Sequence, residues 1–95
     1  MKTIYKLPIM PGSFTLLLPE DAEILTVLTQ RGQPVLYTLL DTEKEKITRT
    51  FCVFSTGDDI QEEGFSLFYI GTFQVEGGLV FHLFEAKVRK MTREN

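Results

Sequence analysis

The chain predicts an all-β fold, a small antiparallel sandwich or partly open barrel of about six to seven strands, in one domain spanning residues 1–95. Three observations lead there. Turn-forming residues recur about every ten positions: Pro11-Gly12, Pro19-Glu20-Asp21, Arg31-Gly32, Asp41 to Glu45, Gly57-Asp58-Asp59, Gly64 and Gly77-Gly78. Short β-branched and aromatic runs fill the intervals, which is the spacing of a sandwich or barrel. The segment YIGTFQVEGGLVFHLFE, residues 69–85, reads as two strands around a double glycine, a pair that a tight hairpin turn accepts.

Strands are expected near 2–8, 13–18, 23–30, 35–40, 46–55, 65–75 and 79–88. The third and fourth form a hairpin about Arg31-Gly32. A two-residue turn there sets Leu28 opposite Val35, Thr26 opposite Tyr37 and Ile24 opposite Leu39, while a four-residue loop would shift these pairs but keep the hairpin. Pro34 follows the turn, where a missing N–H does least damage. A helix beginning at Pro19 is rejected, because Ile24 to Thr29 is too β-branched and Gly32 and Pro34 truncate it. Asp41 to Lys46 is a charged connecting loop. The last two strands meet at Gly77-Gly78, whose freedom at positive φ suits a type I′ turn. That turn sets Val75 opposite Val80, Phe73 opposite His82, Gly71 opposite Phe84 and Tyr69 opposite Ala86. An aromatic ring facing a strand glycine shields its bare backbone.

Seven of the eight phenylalanines lie between Phe51 and Phe84, so the dense core is expected in the C-terminal half. Several strands are apolar on both faces: Leu79, Phe81 and Leu83 point one way, Val80, His82 and Phe84 the other. Such strands need a second cover. A tightly coiled barrel, a loop or another subunit could supply it; for a chain this short another subunit is the expected cover, which predicts a homo-oligomer.

Composition excludes several classes. Hydrophobic residues make up 43% and charged residues 24%, as in ordinary globular proteins. The net charge of −3 argues against a general nucleic-acid binder. The one basic cluster, Lys87, Arg89, Lys90 and Arg93, reads as the solvated end of the last strand. No segment approaches the run of about eighteen apolar residues that a membrane helix needs, and no secretory leader is expected. One cysteine, Cys52, rules out an internal disulfide framework and a structural zinc site. Inside FCVF it reads as a small buried hydrophobe, suited to a reducing cytoplasm.

No enzyme is expected. The single His and single Cys lie thirty residues apart, and only Ser13, Ser55 and Ser66 supply serine hydroxyls. Neither the GxxxxGK[ST] nor the GxGxxG phosphate motif occurs. His82, mid-strand among aromatics, is first a structural residue and second a ligand contact. The loop Ser55 to Gly64 holds four acids but lacks calcium-loop spacing, so no metal or cofactor is expected. Ser55, Thr56 and the Gly57 amide suit a polar ligand instead. The candidate ligand site therefore comprises Tyr37, Ser55, Thr56, Gly57, Asp59, Phe73 and His82, placed between subunits.

Four segments resemble a family of short proteins from tailed bacteriophages and prophages: MKTIYKLPI at the start, LPEDAEILTV at 18–27, RTFCVFSTGDDI at 49–60 and YIGTFQVEGGLVFHLFE at 69–85. The resemblance brings no catalytic residue with it. It implies a phage origin, a small β fold and a host bacterial cytoplasm. The expected role is a non-enzymatic accessory protein, a homo-oligomeric binding module that inhibits a host defence factor or sequesters a small molecule. The alternative is a virion or morphogenesis component.

Overall fold

A computed structural model describes residues 1–89; Lys90 and Arg93 of the basic cluster lie outside the described residues. Seven strands follow in order: β1 (Lys2–Pro8), β2 (Ser13–Pro19), β3 (Glu23–Gln30), β4 (Gln33–Asp41), β5 (Lys46–Ser55), β6 (Phe65–Gln74) and β7 (Val80–Val88). They form two antiparallel sheets, a three-stranded sheet ordered β1-β4-β3 and a four-stranded sheet ordered β2-β5-β7-β6. The all-β expectation holds, and the strand positions match the turn spacing in the sequence.

Both sheets contribute to one core. Leu36, Leu40 and Val27 come from the smaller sheet; Phe14, Leu18, Phe51, Phe73 and Leu83 come from the larger. Phe14 and Phe51 sit opposite each other in the β2–β5 ladder and stack at 5.5 Å. Cys52 is buried as expected, with its Sγ 3.5 Å from the Ser13 hydroxyl.

The β3–β4 turn is the tight one. Arg31 (φ 51°) and Gly32 (φ 80°) both take positive φ, the pair of conformations that a type I′ turn requires. Gln30 pairs with Gln33, Leu28 with Val35 and Thr26 with Tyr37, as the sequence predicts. The third expected pair is corrected. A bulge at Leu25 shifts the ladder, so Ile24 meets Thr38 and Glu23 meets Leu39. The shift keeps Ile24 packed against the core.

The β6–β7 hairpin departs further from expectation. Gly77 and Gly78 do adopt positive φ (88° and 82°), but within a longer loop. Val75 N–H donates to Leu79 O at 3.0 Å and Gly78 N–H to Val75 O at 3.1 Å. The observed pairs are Gln74 with Val80, Phe73 with Phe81, Thr72 with His82 and Gly71 with Leu83. Phe73 therefore does not face His82, Val75 does not face Val80, and Gly71 does not face Phe84. A one-residue slip exchanges the two faces of a strand. The expected register puts His82 on the face of Phe73. The observed one lets Phe73 and Phe81 stack inward at 5.9 Å and turns His82 outward. A bulge at Ile70 then changes the phase again, so Tyr69 faces Phe84 rather than Ala86.

The two bulged strands, β3 and β6, border each other where the sheets meet. Gly71 lies so close to β3 that a Cβ there would come within 2.7 Å of Val27 Cγ1. Thr29 Oγ1 donates to Gln74 O at 2.9 Å across the same seam.

An ion pair lies in the core. Arg49 and Glu85 alternate inward with Phe51 and Leu83 and are both buried. Arg49 Nε is 2.7 Å from Glu85 Oε2, and Nη2 is 2.8 Å from Oε1. Nη1 donates to Ala22 O (2.8 Å) and Pro19 O (3.0 Å), with Glu20 O farther away at 3.4 Å. One guanidinium thereby ties β5 to β7 and to the β2–β3 turn.

Candidate functional site

The candidate site lies on the outer face of the four-stranded sheet. Strand alternation places Leu83 and Phe81 inward, so Val80, His82 and Phe84 of β7 point away from the core. Their neighbours on that face are Phe54 of β5 and Tyr69 and Thr72 of β6. Phe84 packs edge-on against Phe54 at 5.8 Å and against Tyr69 at 5.5 Å. Tyr69 remains 60% exposed, so the aromatic group is a surface and not a buried cluster.

A line of hydrogen bonds crosses this surface. Thr56 Oγ1 lies 2.9 Å from His82 Nε2, and His82 Nδ1 lies 3.0 Å from Thr72 Oγ1. The Thr72 hydroxyl is also bonded to Tyr69 Oη. The line exists because of the register: Thr72 is the cross-strand partner of His82, and Thr56 follows the end of β5. Thr56 N–H donates to Val80 O at 3.4 Å, continuing the β5–β7 ladder. A carboxylate on one imidazole nitrogen would fix the tautomer and make the other nitrogen a base. Both partners here are hydroxyls, which can donate or accept. The line is thus a set of adaptable polar groups beside aromatic rings.

The Ser55–Asp58 turn supports Thr56 from below. Asp58 N–H donates to Ser55 O at 3.1 Å, and Gly57 takes φ 96°. The Asp58 carboxylate folds back, accepting from Ser55 N–H at 2.8 Å and from the Ser55 hydroxyl at 2.8 Å. The backbone bond from Ser55 and then its hydroxyl hold the Asp58 carboxyl below the usual carboxylate range. The groups that the sequence offers to a polar ligand at Ser55 are therefore already occupied by the chain's own carboxylate. Asp59 instead accepts from Gln61 Nε2 at 2.8 Å.

Of the sequence-derived candidates, Ser55, Thr56, Gly57 and His82 come together. Phe73 lies inward, behind the sheet. Tyr37 stands on the outward side of the other sheet, between the buried Leu36 and Thr38. There its hydroxyl accepts from Gln30 Nε2 at 2.9 Å, and Gln30 Oε1 accepts from Lys6 Nζ at 3.2 Å. Within one chain, then, Tyr37 and His82 face opposite ways. Sequence reasoning missed Tyr69 and Thr72 because both depend on the register. It also missed the Arg49–Glu85 pair, because β7 is apolar on both faces and alternation alone does not say which face turns inward.

A separate apolar cleft opens at one end of the core, lined by Met10, Pro34, Val53, Phe73, Val75 and Phe81 among others, with a volume of about 180 Å³. Among the described residues, no three His, Cys, Asp or Glu side chains gather as a metal ion would require.

No curated protein and no solved structure matches the chain. Residues 1–94 match the family described as Domain of unknown function (DUF7352), and with nearly its whole length matched the chain belongs to that family.

Proposed function

We propose that this chain is a bacteriophage accessory protein that acts by binding, as a homo-oligomer in the host bacterial cytoplasm, and that its target is a host protein such as a defence factor. One observation carries this reading: the outer face of the four-stranded sheet presents Tyr69, Phe54 and Phe84 beside the Tyr69–Thr72–His82–Thr56 hydrogen-bond line. Aromatic rings with polar handles are enriched in protein–protein contacts. The patch is open and lies on a sheet, which suits a macromolecular surface. The phage setting rests on the four resembling segments.

Native mass spectrometry of the chain purified from infected cells tests the reading. The expected result is a co-purifying host protein that is lost with Tyr69→Ala and with the double change Thr56→Val, His82→Ala. All three positions are on the outer face, so these variants should keep the β-sheet spectrum of the parent. A retained small molecule in place of a protein would shift the reading to sequestration. Recovery of the chain in purified virions, with neither, would overturn it in favour of a morphogenesis role.

A further inference from the structure

We propose that two copies of this chain join through the free edge of β2, antiparallel and centred on Thr15, to make one continuous sheet. The inference rests on the homo-oligomer part of the proposed function and specifies its interface.

Edge strands expose unpaired backbone groups, and natural proteins blunt them with lysines, prolines, bulges or a covering element. Three of the four edges here are blunted. The β3 and β6 edges are bulged and cover each other, with Val27 against Gly71 and Thr29 bonded to Gln74 O. The β1 edge is guarded by charge. Thr42 N–H donates to Met1 O at 2.8 Å, which sets the phase of the β1–β4 ladder. Thr3, Tyr5 and Leu7 direct their backbone groups at β4; Lys2, Ile4 and Lys6 direct theirs outward. Self-pairing about Ile4 would set Lys2 opposite Lys6 of the partner subunit, and like charges directly opposite each other are destabilising.

The β2 edge has none of these guards. Val53 N–H donates to Gly12 O at 3.0 Å, so Phe14, Leu16 and Leu18 continue that phase toward β5. The N–H and C=O groups of Ser13, Thr15 and Leu17 point to the open side. Among the described residues they have no hydrogen-bond partner. The strand carries no charge, its register with β5 is unbroken from Ser13 to Pro19, and its proline comes only at the end. Leu17 is 67% exposed.

The occupant that fits this edge is the same edge. A two-fold axis through Thr15 sets Ser13 opposite Leu17 of the partner subunit and Thr15 opposite Thr15 of the partner subunit. Every free N–H then meets a free C=O, no like charges meet, and the threonine pair is a favourable cross-strand neighbour. The axis stands perpendicular to the sheet. The product is an eight-stranded sheet made of two four-stranded ones. Both Tyr69–His82 patches lie on the same side of it, a bivalent face for one partner surface.

Sedimentation equilibrium on the full chain over roughly 1–100 μM, a span that covers specific, stable protein interfaces, tests this with Thr15→Lys and Thr15→Glu. Thr15 points to the outer face and is exposed, so both changes are compatible with the fold. The expected result is a parental dimer, monomers for each variant alone, and a restored dimer in the equimolar mixture, where the new lysine faces the new glutamate. A Thr15→Lys variant that stays dimeric overturns the β2 interface and leaves the homo-oligomer standing. A monomeric parent overturns both. Amide exchange on the parent chain supplies a readout without any variant. Ser13, Thr15 and Leu17 are expected to exchange as slowly as Phe14 and Leu16 in the dimer, and fast exchange at those three overturns the pairing.

Discussion

Arg49 and Glu85 form a bidentate ion pair between β5 and β7 inside the core, at 2.7 and 2.8 Å. The same guanidinium holds the carbonyls of Pro19 and Ala22, where the chain crosses from one sheet to the other. Breaking one partner of such a pair leaves an uncompensated charge in a low-dielectric interior. Glu85→Ala should therefore cost about 3–5 kcal/mol. Arg49→Met should be costly as well, because it also orphans the two carbonyls of the β2–β3 turn. Urea unfolding of both variants checks this. A loss under about 1 kcal/mol, the size expected of an exposed pair, would show that the pair is solvated.

The Gly71–Val27 approach predicts a coupled pair of substitutions. A Cβ at position 71 would sit 2.7 Å from Val27 Cγ1, closer than packed carbon atoms tolerate. Gly71→Ala should cost about 1–3 kcal/mol through overpacking at the seam. Adding Val27→Ala should restore room, so the double variant should lose about 1 kcal/mol less than the sum of the single losses. A double-mutant cycle measures this directly, and strict additivity would place the two residues apart.

Thr38 is fully buried, and its hydroxyl has no hydrogen-bond partner among the described residues. Valine is nearly the same shape and removes the stranded polar group. Thr38→Val should raise stability by about 1 kcal/mol. A thermal melt that falls instead would mean that the hydroxyl is satisfied in solution.

Asp58 predicts an acid-sensitive turn. Its pKa is lowered in the folded chain by the Ser55 N–H and then the Ser55 hydroxyl. A lowered folded value means that the group stabilises the turn above the ordinary aspartate range. That contribution is lost as pH falls through the depressed value. NMR titration should show Asp58 ionising below an ordinary aspartate of about 3.9, with Ser55 amide exchange speeding up over the same interval. Asp58→Asn should remove that pH response. A midpoint at or above the ordinary value would contradict the hydrogen bonding at Ser55.

The loop between β6 and β7 needs backbone freedom at two glycines. Gly77 takes φ 88° with nothing near its absent Cβ, and Gly78 takes φ 82°. Valine at either position has space but resists that conformation, so each substitution should cost about 1–2 kcal/mol. Equal stability of Gly77→Val would show that the loop relaxes to another turn.

Local chemistry decided much of this molecule, and it could be read from the sequence. Turn residues mark where strands stop, and their demands on φ do not depend on distant contacts. The Arg31-Gly32 hairpin therefore came out with Leu28 beside Val35, and Gly77 and Gly78 both took the positive φ expected of them. Burial decided what local chemistry left open. Period-2 alternation reads the same after a one-residue slip, and β7 is apolar on both faces. Only burial of one face in the shared core chose which face turned inward. Phe73 stacks on Phe81, and that choice sent His82 out to Thr72, Thr56 and Tyr69. Likewise Arg49 and Glu85 are individually ordinary charges in strands. The fold made them a pair by placing adjacent strands with both charges on the inner face, where each is tolerable only because the other is there.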